Sequence, residues 1–229
     1  MSTTVSRVDT NSQPTLPAPA RYAMAGCAVV APILIVVAML LAPLDMAGEG
    51  REYVSDFAAN IDQLGATLWL WALSALLMPA ALLAVGRVAR AGAPALGVVG
   101  LVVAFPFVIP IGLEMDELSY AALKSGLDVD ATHRLIESAD TNLPSSLFGW
   151  AFLVSMVGLV LLGIALLRGR SAPMWVGIAL IVAAVGIPVS WFSGVGVAVL
   201  IAWAVLAAAF IGCAFALAAP AREPTPSAP

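Results

Sequence analysis

Charged residues, histidine and cysteine are all scarce in this chain. Only 10% of its 229 residues are charged, against roughly a quarter in soluble domains, while 62% are hydrophobic and the mean hydropathy is +1.01. These values exclude an ordinary soluble domain and predict an integral membrane protein. The single histidine excludes a bis-histidine haem and leaves too few ligands to predict a metal site. Cys27 and Cys213 lie far apart in apolar runs, so neither a disulfide framework nor a cofactor is predicted.

Six apolar runs are long enough to cross a hydrocarbon core of about 30 Å, which takes about 20 helical residues. Because the runs are continuously apolar, they predict helices and not the alternating strands of a barrel. The predicted fold is therefore all-α, a polytopic bundle of six transmembrane helices within residues 22–219. The predicted spans are 22–44, 64–86, 94–113, 145–167, 173–190 and 195–219.

Basic residues are segregated to one side of this threading. Seven of the ten Lys and Arg residues fall in the tails and in the two short loops after the second and fourth spans. Since basic loops stay inside, both termini are predicted to be cytoplasmic, in the plasma membrane of a bacterium. Twelve of the fourteen carboxylates fall on the outer side. Residues 1–21 and 220–229 are rich in proline and small polar residues and are predicted to be disordered cytoplasmic tails.

The first outer loop carries a helical pattern. Tyr53, Phe57 and Ile61 recur every four residues, with acidic and amide side chains on the opposite face. This spacing predicts a short amphipathic helix over residues 51–62 that lies on the outer surface.

The second outer loop, residues 114–143, also predicts short helices. Asp130 is a candidate N-cap for a helix through residues 131–139. Residues 117–124 either extend the third span or form a helix of their own.

Three carboxylates, Glu114, Asp116 and Glu117, follow directly after the third apolar run. Twenty residues rise about 30 Å at about 1.5 Å each, which places Glu114 at the outer edge of the membrane. One interpretation is that the three form a candidate site that binds a ligand or acts as an acid. The other is that they simply mark the boundary where the span meets water. As an acid, such a carboxylate needs burial to hold its proton near neutral pH.

Prolines in the third span remove backbone hydrogen bonds. Because Pro106 and Pro110 have no backbone N–H, the carbonyls of Val102 and Pro106 lose their usual helical donors. These carbonyls must then find other partners. These carbonyls either mark a cation or proton site, as in transporters, or accompany a plain helix kink.

Tryptophans gather near the outer ends of the predicted spans. Trp69, Trp150 and Trp191 either form part of an interfacial belt or wall an apolar pocket beneath the acidic loops. Trp203 fits no belt, because it lies about eight residues into the sixth span. Its indole N–H requires a partner or a cavity there.

Residues 86–110 and 167–188 share a pair of arginines, an Ala-Pro step and a late proline, which permits an internal duplication. Four segments have a recognisable layout: LAPLD at 41–45, LLMPAALLAVGRVAR at 76–90, APALGVVG at 93–100 and GIALLRGRSAPMW at 163–175. With the amphipathic outer helix and the carboxylates of the second outer loop, they make the chain resemble a group of uncharacterised six-span membrane proteins of actinobacteria. That resemblance implies no catalytic residues.

Three functions stay open on these grounds. The leading one is a non-enzymatic membrane module that binds a lipid, an apolar small molecule or a partner protein at the outer face. The second is a membrane enzyme acting on an isoprenoid-like substrate, with Glu114 or Asp116 as the acid. The third is a small-molecule or ion transporter, which the charge-free spans weaken. A nucleic-acid partner is not predicted.

Overall fold

All regular elements in the described part of the chain are helical. The computed structural model describes residues 16–42, 44, 48, 50–108, 113–142 and 145–219, leaving aside the side chains of 113–115, 142, 145, 146 and 148. The helices are α1 (Ala18–Leu41), α2 (Gly50–Ala59), α3 (Ile61–Gly92), α4 (Pro94–Ala104) with a 3₁₀ turn (Phe105–Val108), α5 (Leu113–Lys124), α6 (Val129–Asn142), α7 (Ser145–Gly169), α8 (Met174–Phe192) and α9 (Gly196–Ala218).

Five of these helices are long and apolar enough to cross a membrane: α1, α3, α7, α8 and α9. The all-α prediction is confirmed, and the protein has the make-up of a multi-pass membrane protein. Helix α3 has 32 residues and so rises about 48 Å, more than a hydrocarbon core of about 30 Å. It therefore extends beyond the membrane. Helix α1 begins four residues before the predicted span, after Pro17.

The third predicted span contains a break instead of one continuous helix. Helix α4 ends at Ala104 and a 3₁₀ turn follows, so that residues 94–108 rise about 24 Å. Pro106, which cannot donate a backbone hydrogen bond, lies inside that turn. The remaining residues of the predicted span up to 112 lie outside the described part of the chain.

The membrane helices pack closely where glycines face one another. Helix α1 contacts α3 and α9, α8 contacts α7 and α9, and α7 also contacts α4. Between α7 and α8, a Cβ added at Gly163 would lie 2.9 Å from the Gly177 carbonyl oxygen, and the converse distance is also 2.9 Å. Only glycine permits this approach, since packing without polar contacts depends on close backbones. The fully buried side chains at the centre of the bundle include Leu82, Leu162, Leu180 and Phe210.

Helices α2, α5 and α6, together called the cap, pack on one another and on α3 and α7. The amphipathic prediction for the first loop is confirmed, because α2 buries Val54 and Phe57 and exposes its acidic face. Residues 117–124 belong to a separate helix, α5, which is one of the two predicted alternatives.

The predicted cap of α6 is wrong by two residues. Asp128, and not Asp130, accepts the hydrogen bond from the Ala131 amide, with 2.7 Å between Oδ1 and N. Helix α6 begins at Val129, so Asp128 occupies the N-cap position. Asp130 lies in the first turn and is free to pair with Arg51 of α2, whose Nε lies 2.6 Å from its Oδ1.

Candidate ligand cavity

An aromatic cluster joins four helices and the 3₁₀ turn. At its centre, the Phe107 ring stacks on Phe152 of α7 at 5.8 Å and on Trp203 of α9 at 5.9 Å between centroids. Trp203 also meets Trp71 of α3 edge-on at 6.1 Å, and Phe152 lies 5.5 Å from Trp191 of α8. Such offset and edge-to-face contacts stabilise a cluster beyond the effect of burial alone.

The rings enclose part of a cavity of about 60 Å³. Its lining in the described part of the chain is almost wholly apolar: Ile35, Trp71, Ser74, Ala75, Met78, Phe107, Val108, Phe152, Trp191 and Trp203. A cavity needs roughly 10–15 Å³ to hold a water molecule, whereas sites for drug-sized ligands measure roughly 300–1,000 Å³. The space therefore suits a small molecule or the end of a longer one, and not a whole lipid.

Trp203 lines this cavity and carries a buried donor. Its side chain is only 4% exposed, and its buried Nε1 has no hydrogen-bond partner among the described residues. Buried indole N–H groups normally have a partner, because a donor without one loses its hydrogen bond to water on burial. The sequence prediction was that this N–H needs a partner or a cavity: the Trp203 side chain lines a cavity, while the N–H itself has no partner among the described residues.

The lining also offers hydrogen-bond acceptors on α3. The Ser74 hydroxyl donates to the Ala31 carbonyl at 2.8 Å, which leaves the lone pairs of its own oxygen as acceptors. The next residue, Ala75, lies four positions before Pro79, which has no N–H to bond to the Ala75 carbonyl. Ser74 and Ala75 are thus two neighbouring lining residues with acceptor groups on α3.

Phe107 reaches the cluster from the 3₁₀ turn that follows α4. The amide of Phe105 donates to the Val102 carbonyl in a 3₁₀ pattern, so the acceptor that Pro106 leaves without its usual donor is already satisfied. This pairing weakens the prediction that the Val102 carbonyl binds a cation. Pro110, the other proline of that argument, lies outside the described part of the chain.

The structure separates the three predicted tryptophans. Trp191 lines the cavity, whereas Trp69 and Trp150 are 73% and 70% exposed and belong to the outer surface of the bundle. Exposed indoles near the ends of apolar helices are typical of an interfacial belt. Trp191 thus belongs to the cavity, while an interfacial belt stays the prediction for Trp69 and Trp150.

The predicted carboxylates lie in the cap and are not among the described lining residues. Asp116 is half-buried, and its Oδ1 accepts a hydrogen bond of 3.0 Å from the Tyr53 hydroxyl of α2. Burial raises the pKa of Asp116 from 3.8 to about 6, although the hydrogen bond from Tyr53 opposes that increase. Glu117 is exposed, and Glu114 lies in the first turn of α5 with its side chain outside the described part of the chain.

Two exposed ion pairs tie the cap together. Arg51 of α2 pairs with Asp130 of α6, and Lys124 of α5 pairs with Asp62 at the start of α3, each at 2.6 Å. The Arg51 guanidinium holds the pKa of Asp130 below its usual value. Exposed pairs of this kind contribute little to stability, because water and salt screen them, so they orient the cap more than they stabilise it.

Phe107 and Phe152 are the cavity residues that sequence reasoning missed. The one local signal near Phe107 was Pro106, directly before it in the 3₁₀ turn. Phe152 carried no such signal within its uniformly apolar span. No protein-family model matches the chain, and neither a curated protein nor a solved structure is significantly similar to it.

Proposed function

We propose that this protein is a non-enzymatic membrane module that binds a small apolar molecule, or one end of a lipid, in the aromatic cavity. The cavity carries the proposal, because an apolar space lined by aromatic rings and a few polar groups is the usual form of a small-molecule site. Its volume of about 60 Å³ restricts the bound part to a short chain end or a small ring.

The proposed membrane arrangement has six crossings, with both termini cytoplasmic and the cap outside. The short α4 and its 3₁₀ turn provide the third crossing in this arrangement. The concentration of arginine in the two short loops and of carboxylates in the cap supports this orientation. Membership of the six-span actinobacterial group remains a prediction from layout.

A membrane enzyme is the second candidate, and one observation favours it. Burial raises the pKa of Asp116 to about 6, which moves it toward the range that a general acid needs near neutral pH. Against this, neither Asp116 nor Tyr53 lines the cavity. A carboxylate outside the substrate space does not reach a reacting atom, so we place binding ahead of catalysis.

Photo-crosslinking in nanodiscs tests the proposed binding. The probe is an alkyl diazirine whose photoreactive group lies near the methyl end of a saturated chain and which carries an alkyne for detection. The expected result is labelling of cavity residues that saturates with probe concentration and is mapped by mass spectrometry.

Two variants of α3, each with one alanine replaced by leucine, provide the matched comparison. Ala75→Leu places extra bulk in the cavity wall and should abolish saturable labelling, whereas Ala72→Leu changes a half-buried alanine that does not line the cavity. Labelling that is non-saturable, or equal in the two variants, would show contact with bulk lipid only and would refute the proposal.

A further inference from the structure

Two short loops at the end of the bundle remote from the cap are in direct backbone contact. Helix α3 runs from the cap to Gly92, where Ala93 alone separates it from α4, and residues 170–173 separate α7 from α8. A Cβ added at Gly92 would lie 2.3 Å from the Gly169 Cα atom, and one added at Gly169 would lie 2.6 Å from the Gly92 Cα atom. Residues 90–94 and 168–173 therefore form one surface, which we call the loop pair.

The loop pair carries arginines in a region without carboxylates. Arg90 lies in the last turn of α3, Arg168 in the last turn of α7, and Arg170 directly follows α7. Because consecutive Cα atoms are about 3.8 Å apart, the Cα atoms of Arg168 and Arg170 lie within about 8 Å of the last residue of α3. Residues 63–108 and 145–219 contain no Asp or Glu. Arg168 and Arg170 are exposed, and neither forms an ion pair with a described residue.

Arg170 occupies a backbone conformation that favours glycine. Its φ of 48° is the only positive φ of a non-glycine residue in the described part of the chain. The residue directly after a helix often takes this left-handed conformation, and it is usually glycine because a Cβ makes the conformation unfavourable. Here the glycine lies one position earlier, at Gly169, where the contact with Gly92 leaves no room for a Cβ. Membrane topology does not require an arginine at a strained position, which points to a use for its side chain.

The shortness of the loops holds these guanidinium groups at the edge of the membrane. The apolar helices α4 and α8 begin at Pro94 and Met174, so the loops extend only a few residues beyond them. Met174 and Trp175 are 72% and 51% exposed, and an exposed tryptophan at the end of a span is typical of the headgroup region. Arginine side chains at such positions extend toward the lipid headgroups. A phosphate within their reach therefore belongs to a lipid.

We propose that the loop pair binds the headgroup of an anionic phospholipid, with Arg168 and Arg170 donating hydrogen bonds to its phosphate. Guanidinium suits this partner, because it is always charged and presents several donors in one plane to phosphate oxygens. The site is separate from the aromatic cavity, whose described lining shares no residue with it. The two sites therefore stand or fall independently.

Native mass spectrometry of the full chain tests the proposal. The protein is released from nanodiscs that contain dioleoyl phosphatidylglycerol and dioleoyl phosphatidylcholine at equal mole fraction, so that the lipids differ only in the headgroup. The wild type should retain phosphatidylglycerol preferentially, and added salt should weaken this preference because it screens exposed charges. Arg168→Gln and Arg170→Gln should each lower the ratio of the retained lipids roughly five-fold, the factor expected of one arginine at an anionic surface.

Arg170→Gly separates lipid binding from folding. Glycine adopts the left-handed conformation without strain, so this variant should keep or raise the melting temperature in phosphatidylcholine nanodiscs while it loses as much lipid preference as Arg170→Gln. Arg134→Gln is the matched control, because Arg134 is also exposed but lies on α6 in the cap, at the other end of the molecule. It should leave the preference unchanged.

Three results would overturn the proposal. Equal retention of the two lipids by the wild type, or an equal loss of preference in Arg134→Gln, would show that the loop pair has no lipid site of its own. An unchanged preference in Arg170→Gly would show that this arginine does not contact the headgroup. If glycerol phosphate in solution displaces the lipid at equal concentration, the loop pair binds a soluble phosphate and not a lipid.

Discussion

Replacing Asp116 by asparagine should remove most of the pH dependence of cap stability. The folded cap holds the Asp116 proton more tightly than the opened cap, because burial raises the pKa from 3.8 to about 6. Between those values the folded state binds more protons, so stability is highest below about pH 4 and falls as the pH rises through about 6. A shift of about two pKa units corresponds to about 3 kcal/mol between the two limits.

Hydrogen exchange of peptides from α2 and α5 measures this effect, once the intrinsic rates are corrected for pH. In the wild type, the free energy of opening should fall by up to about 3 kcal/mol between about pH 4 and about pH 7.5. In Asp116→Asn it should be nearly constant, because the amide does not titrate and still accepts from the Tyr53 hydroxyl. Tyr53→Phe should move the transition to higher pH, since it removes a hydrogen bond that stabilises the carboxylate.

His133→Gln is the control variant for this experiment, because it changes a polar side chain of α6 outside the contact between Tyr53 and Asp116. His133 is the only histidine of the chain, and its Nε2 lies 3.4 Å from Glu137. The variant His133→Gln should keep the slope seen in the wild type. The reasoning is refuted if Asp116→Asn keeps that slope, or if the wild type shows none.

Three further substitutions, one of them with a matched control, test the packing of the bundle and the cap. In thermal unfolding, Gly158→Ala should destabilise the protein by about 1–3 kcal/mol or more, because the new Cβ would overlap the Ala104 backbone. The control is Gly149→Ala on the same helix, whose new Cβ meets nothing within 4 Å; it should be neutral or slightly stabilising. Phe107→Ala should cost about 3–5 kcal/mol in the same assay and enlarge the cavity, so that bulkier diazirine probes then label it. Asp128→Ala should cost about 1 kcal/mol, seen as faster hydrogen exchange in the first turn of α6.

Each of these expectations has a contrary result. Equal melting temperatures for the two glycine variants would show that α4 and α7 are not in close backbone contact. If bulkier diazirine probes label Phe107→Ala no better than the wild type, the ligand binds elsewhere. Unaltered exchange at the start of α6 would mean that the Asp128 side chain is not the cap.

The helices were readable from the sequence because their signals are local. Long apolar runs predict where α1, α7, α8 and α9 lie. Apolar side chains that recur every four residues predict α2 without any information on contacts. The cap of α6 was misassigned because Asp128 and Asp130 are both suitable residue types and differ only in which one starts the helix.

The cavity was less readable, and Trp69 and Trp71 show why. Two positions along an α-helix are about 200° apart, so these side chains lie on nearly opposite faces. In a soluble protein the polar face would identify the inner one. Here both faces are apolar, since lipid tails are as apolar as a packed core, and nothing local tells which indole faces the cavity.

The sequence by itself determined that this is an all-helical membrane protein, where most of its helices lie, and that Trp203 needs a cavity or a partner. Only the tertiary structure decided that Trp71, Phe107, Phe152, Trp191 and Trp203 converge on one space, and that Asp116 is buried against Tyr53. The physical reason is that hydropathy and periodicity act along the chain, whereas the inward face of each helix depends on which helices pack against it.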